Sequence, residues 1–310
     1  MIGKELTKKR FLSGIEVVEN ALMSSFCTMR VGGRARMVCL PRNLHQLKRV
    51  LKFAKLTKKE VVIIGAGSNI LFKNGLFAGV VISLKNFKTV CKIRRTKIVC
   101  SAQVHLAHIV KTACNNGLSG LEFAVGVPAQ VGGATVMNAG AFGTSMADVI
   151  SRVRVLDNGK TKWLSGAECE FCYRSSGLKC KKMIVLAVEF KLTRKPTTEI
   201  IEAMKIFGQK RASSQPSGFS CGSVFKNPEG FYAGFLIEQA GLKGTKIGGA
   251  EVSLKHANFI VNTGNATAQN VEDLIKFAQR VVFEKFHIEL QPEIEIIGEN
   301  ENDTRRLPHP

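Results

Sequence analysis

The sequence predicts a multi-domain α+β protein, and three observations carry that expectation. Segments with a helical period and segments with a period of two follow one another in no strict β-α-β order, so neither a doubly wound sheet nor an all-β sandwich fits. A short glycine turn, 65–69, and a long glycine- and alanine-rich stretch, 117–143, interrupt the pattern, the second where ordinary packing would want larger side chains. The chain has 310 residues, 45% hydrophobic and 22% charged, enough for a packed core divided among two or three domains.

Along the chain, Leu44, Leu47, Val50, Leu51 and Ala54 recur at helical spacing with lysines opposite, and Asn43 is the expected N-cap. Val61 to Ile64 reads as a short buried strand running into Gly65-Ala66-Gly67. Residues 79–87 and 92–102 read as further strands, and 105–114 as a helix closed by Asn115-Asn116-Gly117 with a left-handed cap. Asn158-Gly159 between two apolar runs predicts a type I′ hairpin. Residues 182–193 read as a strand, Pro196 as a boundary, and 199–212 as a helix. A long helix follows over Ala268 to Lys285, with Thr267, Ala266 and Thr263 as competing caps. Last, Ile288, Leu290, Ile294 and Ile296 alternate with Glu289, Gln291, Glu293 and Glu295, a period-2 strand that Pro292 places at a sheet edge or bulge.

Several function classes recede on composition. No apolar run reaches the roughly 20 residues of a membrane span, and the N-terminus has no signal-peptide core, so a soluble cytoplasmic protein is expected. Nine scattered cysteines include Cys169-x-x-Cys172 but no second close pair, so no metal site is expected. The net charge is +21, from 45 Lys+Arg against 24 Asp+Glu. A lysine-rich solvated surface explains it first, attraction of anionic small molecules second and nucleic acid third, because aromatic residues are almost absent from the basic runs.

The chemistry-bearing stretches begin with Gly65-Ala66-Gly67-Ser68-Asn69, which follows a strand and can turn backbone N–H groups toward an anion. Ile70 breaks G-x-G-x-x-G and no acidic residue follows about 20 positions on, so a doubly wound dinucleotide fold is disfavoured. The second block, Gly126-Val127-Pro128, Gly132-Gly133 and Asn138-Ala139-Gly140, suggests backbone laid against a large flat ligand and its pyrophosphate. In SCGSVFKNPEG, Ser223 has no histidine within thirty residues, and Phe225 stands where a nucleophile elbow would have its second glycine. Hydrolysis is therefore a poor reading. Taken singly, Ser223 is a turn residue, Arg174 a surface ion-pair residue and Glu293 part of a solvated strand face.

Taken together, IIGAGSNILF, GLSGLEFAVGVPAQVGGATVMNAGAFG, CEFCYRSS, CGSVFKNPEG, IGGAEVSLKHANFIVN and LQPEIEIIGE resemble, in order and spacing, the successive motifs of the UDP-N-acetylenolpyruvoylglucosamine reductase (UDP-N-acetylmuramate dehydrogenase) family, over roughly residues 20 to 299. The resemblance implies a bipartite FAD-binding module of the vanillyl-alcohol-oxidase type, two α+β subdomains over 1–89 and 90–197, and an α+β substrate-binding domain over 198–299, with 300–310 a disordered tail. It implies FAD as cofactor, NADPH as co-substrate and UDP-N-acetylglucosamine enolpyruvate as substrate, in a monomeric bacterial enzyme of peptidoglycan precursor synthesis. Ser223, Arg174 and Glu293 match the family's catalytic serine, arginine and glutamate. Tyr173, Lys226 and Asn227 fall where the substrate is bound, and Gly65–Asn69 with the second glycine block where the flavin lies. With only Tyr173 and Tyr232 present, the chain resembles the shorter form that lacks a tyrosine-bearing insertion.

Five departures from the family pattern stand out. Ala129 replaces a glycine, which would strain the backbone if the position needs φ > 0, and Gln130 replaces a hydroxyl residue. Glu295 replaces an arginine; it either raises the pKa of Glu293 from a shared strand face or points to solvent at the strand end. The approach from Gln215 to Ser223 is about one residue short, and Ser214 stands where a lysine is frequent. These leave open a flavin- or nucleotide-binding protein without turnover.

Overall fold

In the computed structural model, which describes Thr7 and residues 10–298, three main sheets follow one another along the chain. The first has the strand order Glu16–Leu22, Arg34–Leu40, Leu76–Ser83, Val61–Ile64. Its first pair is antiparallel and the rest parallel. The helix Leu44–Leu56 crosses over it, with Asn43 Oδ1 accepting the Gln46 N–H at 2.9 Å, and buries Leu47, Val50, Phe53 and Ala54. Val61–Ile64 is an edge strand, and only Ile64 is buried. Its apolar run is half-buried because it walls a cleft.

The second sheet is antiparallel, in the order Lys160–Ser165, Ile150–Asp157, Ile184–Lys191, Lys97–Ser101, Cys91–Arg94. The strand expected over 92–102 is a hairpin. Arg95 takes φ 57° and Arg94 pairs with Lys97. Ile93 pairs with Ile98, so apolar residues meet across the turn and the sequence alternation hides the break. Asn158 and Gly159 both have positive φ, as a type I′ turn requires. One core joins these two sheets across the helices Leu44–Leu56 and Leu106–Asn115. Gly117, at φ 61°, supplies the left-handed residue after the second helix.

Pro196 precedes the helix Thr197–Ser214, which leads into the third sheet: Phe219–Ser223, Phe259–Asn262, Ala250–Val252, Lys246–Ile247. A second core lies between this sheet and the helix Ala268–Phe286. Thr267 caps that helix in a reciprocal box with Asn270. The period-2 strand expected from Ile288 to Ile296 is mostly irregular extended chain; only Glu295–Ile297 is a strand, parallel to Ile70–Phe72. Pro292 has no N–H to give, and the bonds on either side of it go elsewhere. Gln291 C=O accepts the Lys226 N–H at 2.9 Å, and the Glu293 N–H donates to Val224 C=O at 2.7 Å. The chain thus passes from the third sheet back to the turn after Ile64. The expected tail, 300–310, lies outside the described residues. No helix among the described residues is long and apolar enough to cross a membrane.

Candidate active site

A cleft of about 2060 Å³ runs between the first sheet, the second glycine block and the third sheet. Ordinary small-molecule pockets span roughly 300–1,000 Å³, so this one has room for a dinucleotide and a second ligand. Gly65–Asn69, Val127, Pro128, Gly132, Gly133, Ala139 and Gly140 line it, and so do Arg174, Ser223, Lys226 and Glu293. Gly126, Asn138, Tyr173 and Asn227 stand outside its lining. Asn138 is buried and spent on the protein: its Nδ2 donates to Cys172 C=O at 3.0 Å and its Oδ1 accepts the Ala147 N–H at 2.9 Å.

The glycines divide by what surrounds them. Gly67, at φ 67°, leaves no room for a side chain against the Phe26 carbonyl. Gly132 would set a Cβ 2.9 Å from the Ala102 Cβ, and Gly140 one 2.8 Å from the Thr144 carbonyl. These three serve close packing of the chain on itself. Gly133 is different: a Cβ there would meet nothing within 4 Å, and the residue is exposed in the cleft wall. The amides of Ala66, Gly67, Ser68 and Asn69 donate to no acceptor among the described residues, which suits a concave turn that receives phosphate oxygens. These residues fit a dinucleotide. Ala129 is not among the positive-φ residues, so the replacement of glycine there brings no strain. Gln130 lies over the glycine turn, its Oε1 3.3 Å from where a Gly65 Cβ would be.

Three separate segments bring Arg174, Glu293 and Ser223 together. Arg174 sits at φ 53° in the turn after Cys172. Its Nε is buried 3.0 Å from Glu293 Oε1, yet the N–H is not aligned for a hydrogen bond and has no other acceptor. Burial pushes the Glu293 carboxyl above its ordinary pKa, against the opposing pull of Arg174, then Lys226 and Lys179. Of the two alternatives for Glu295 the structure shows the solvent-facing one: it is half exposed, its Oε2 3.8 Å from Lys179 Nζ, and it is not a cause of the shift. Ser223 ends its strand after a register shift and after Gly222 at φ 75°, an irregularity that re-aims side chains. Its hydroxyl makes no hydrogen bond among the described residues, and the N–H of Glu293 is bonded one residue further on, at Val224 C=O.

Tyr173 Oη accepts the Asn227 N–H at 3.3 Å, and Asn227 Oδ1 accepts the Ala233 N–H at 3.1 Å, so both residues brace the mouth of the cleft. Three cleft-side residues escaped sequence reasoning. Asn258 holds both backbone groups of Phe225. Arg211 donates from Nε to Val125 C=O at 2.9 Å and from Nη1 to Gln215 Oε1 at 2.9 Å, fixing the short approach to Ser223. Burial, then the charge of Lys243, pushes His256 below its ordinary pKa; its Nδ1 accepts the Asn258 N–H at 3.2 Å. The only signal for these was their place inside or beside the motifs. All nine cysteines are free thiols; Cys169 is buried and Cys172 exposed. No group of three potential metal ligands occurs among the described residues.

Comparison with known proteins finds two family models. One, described as "UDP-N-acetylenolpyruvoylglucosamine reductase, C-terminal domain", matches residues 215–297, and one described as "FAD binding domain" matches 35–165. Among similar proteins, the UDP-N-acetylenolpyruvoylglucosamine reductase of Caldanaerobacter subterraneus subsp. tengcongensis is 42% identical over 293 residues, 94% of this chain and 97% of that protein. The reductase of Lactiplantibacillus plantarum is 41% identical over 92% of this chain and 95% of its own length. The crystal structure of the Thermus caldophilus reductase matches with a TM-score of 0.79 at 36% identity, covering 92% of this chain and 99% of that one. A BBE-like protein of Physcomitrella patens, 12% identical with a TM-score of 0.57 over 91% of this chain and 88% of its own, shares the fold.

Proposed function

This chain belongs to the UDP-N-acetylenolpyruvoylglucosamine reductase family, and from that premise we propose that it is an NADPH-dependent, FAD-containing reductase that converts UDP-N-acetylglucosamine enolpyruvate to UDP-N-acetylmuramate, as a cytoplasmic, monomeric enzyme of bacterial peptidoglycan precursor synthesis. The observation that carries the reading is the half-buried Arg174–Glu293 pair next to the segment of Ser223, in one cleft with the glycine turn. On this reading residues 1–89 and 90–197 hold the flavin and 198–299 the nucleotide sugar. When bound and reduced by NADPH, FAD supplies the hydride that adds to C3 of the enolpyruvyl double bond.

The chain's own residues manage charge and the proton. As C3 gains hydrogen, negative charge builds at C2 and spreads into the neighbouring carboxylate. Arg174, with a buried N–H that lacks an aligned acceptor, offers that carboxylate a planar guanidinium fork. Glu293, whose burial favours the neutral acid, donates a hydrogen bond to the same group as the charge grows. Ser223, whose hydroxyl is not spent on the protein, gives its proton to C2 and recovers one from solvent. Lys226 attracts the diphosphate at the cleft wall. Asn227 keeps only its Nδ2 donors for that task, since Ala233 occupies its Oδ1.

The test is Ser223→Ala followed in both half-reactions. Anaerobic bleaching of the flavin by NADPH should proceed as in the wild type, while reoxidation by the enolpyruvyl substrate slows on the order of 10²–10⁴-fold. Equal loss in both halves, or in neither, would show that Ser223 is not the proton donor.

A further inference from the structure

The second sheet turns one face to the core and the other to solvent, and the solvent face carries charge of one sign. Val153, Val188 and Cys100 lie in register on the inner face, within the core shared with the first sheet. On the outer face the register sets three rows side by side. Lys191, Lys97 and Arg94 form one. Arg152, Glu189, Val99 and Lys92 form the next. Trp163, Arg154 and Ala187 form the third. All six cations and Trp163 are exposed. The one acid, Glu189, is buried and already bonded by Lys97 Nζ and Arg152 Nη2, each at 2.9 Å. Lys92, Arg94, Arg154 and Lys191 have no acidic partner among the described residues.

Lysine richness alone does not produce this arrangement. On the helix Ala268–Phe286 the charges are of both signs, and Arg280 pairs with Glu284. Charges on edge strands guard a sheet against pairing with another chain, which accounts for Lys92 and Arg94. Lys97, Arg152, Arg154 and Lys191 sit on the three inner strands, where no edge needs guarding. Like charges gathered on one face repel, and an anionic surface laid against them relieves that repulsion. None of these residues lines the cleft, so ligands bound there do not meet them.

We propose that this face docks the protein peripherally on an anionic lipid surface, with the cations over the headgroups and the Trp163 indole at the boundary. Five strands about 4.8 Å apart present a broad face, which suits a plane of headgroups. Juxtaposed basic residues are drawn to such a surface, and an indole, apolar with one polar N–H, favours the interface. Single-stranded nucleic acid is held by stacking its bases on several aromatic rings. This face offers one ring, and the Arg152 guanidinium already lies 4.5 Å from its centroid. The docking does not depend on the reaction proposed above.

Trp163 is the chain's sole tryptophan, so its emission reports on this face and no other. The test mixes the full-length, flavin-loaded protein with vesicles. On phosphatidylcholine–phosphatidylglycerol vesicles at low salt it should co-sediment, with tryptophan emission shifted to the blue; on phosphatidylcholine alone it should do neither. Salt near 1 M, where the Debye length is about 3 Å, should release it. Each basic residue at such a surface changes the partition about fivefold, so Arg94→Gln, Arg154→Gln and Lys191→Gln together should weaken binding on the order of a hundredfold. That variant keeps both bonds to Glu189, so Tm and NADPH-dependent flavin reduction should stay as in the wild type. Lys48→Gln, Lys52→Gln and Lys55→Gln together remove the same charge from the exposed side of the helix Leu44–Leu56 and should leave most of the binding. No binding to the mixed vesicles at low salt overturns the proposal. Binding with unchanged tryptophan emission does so too, as does equal loss in the two triple variants, because net charge and not this face would then decide. An RNA oligonucleotide bound at salt where the vesicles have let go, and not bound by the first variant, would make the face a nucleic-acid site and overturn the lipid one.

Discussion

Replacing Asn258 with alanine removes two hydrogen bonds at once. Asn258 Nδ2 donates to Phe225 C=O at 2.8 Å, and its Oδ1 accepts the Phe225 N–H at 2.9 Å. Asn258 is 4% exposed and Phe225 2%, so water cannot readily take over either bond. The substitution strands a buried donor and a buried acceptor, each costing about 1–3 kcal/mol, and the sum lands near 3 kcal/mol after partial relaxation. The backbone bond from Val224 N–H to Asn258 C=O, 2.8 Å, survives the change. The loss therefore loosens the segment after Ser223 without dissolving the sheet. Urea denaturation should show a drop of about 3 kcal/mol with an unchanged slope. Turnover should fall much further than NADPH-dependent flavin bleaching, because the glycine turn and Gly133 lie on other segments. A stability loss below about 0.5 kcal/mol would refute the claim that this amide bears the strand. Flavin retention falling in step with turnover would refute the claim that the damage is local to Ser223.

Glu293→Gln tests the half-buried acid. Burial raises the folded pKa above the unfolded value, so the native state binds more protons than the unfolded one and stability falls as pH climbs from about 4.3 through the raised midpoint. The glutamine variant should flatten that stretch in melts across pH 4 to 7, and a wild-type curve equally flat there counts against a neutral acid at 293. Gly67→Ala and Gly133→Ala separate packing from cofactor contact. The first forces a side chain onto the Phe26 carbonyl at φ 67° and should cost above about 2 kcal/mol, measured on flavin-free protein. The second should stabilise flavin-free protein by about 0.5–1 kcal/mol, as Gly→Ala in a helix does, while weakening flavin binding in a fluorescence titration. Unchanged flavin affinity would take Gly133 off the cofactor face.

Local chemistry made much of the fold legible. Asn43 and Thr267 announced helix starts, and Asn158-Gly159 announced a turn, because each acts within a few residues of itself. What stayed hidden was set by partners distant in sequence. The break at Arg95 is invisible to a period-2 reading, since Ile93 and Ile98 keep the alternation on both sides of it. The role of Asn258 depends on Phe225, 33 positions away. Nothing in the sequence separates Gly67, Gly132 and Gly140, which answer to the chain's own atoms, from Gly133, which faces open space. Of the two sequence readings of Glu295 the structure takes the solvent-facing one, and the raised pKa of Glu293 comes from burial, whose depth cannot be read from the identity of a neighbour.

The segment from Gln291 to Ile297 explains why these distant pieces behave as one site. Gln291 C=O and Glu293 N–H hold Lys226 and Val224, on the far side of Ser223's strand end. Glu293 C=O accepts the Asn69 Nδ2–H at 3.0 Å, and the Glu295 N–H donates to Asn69 C=O at 3.0 Å, so the same few residues hold the glycine turn. Between those two attachments the Glu293 side chain meets Arg174. The Glu293 carboxyl, the end of the Ser223 strand and the glycine turn are thereby fixed to one short length of backbone, the shared frame that the proposed reaction needs. Position 295 contributes its backbone N–H to the frame and leaves its half-exposed side chain beside Lys179. Pro292 belongs to the same logic. A residue able to donate at that point could pull the chain into a regular ladder, and the irregular crossing that carries Glu293 from one sheet to the other would be lost.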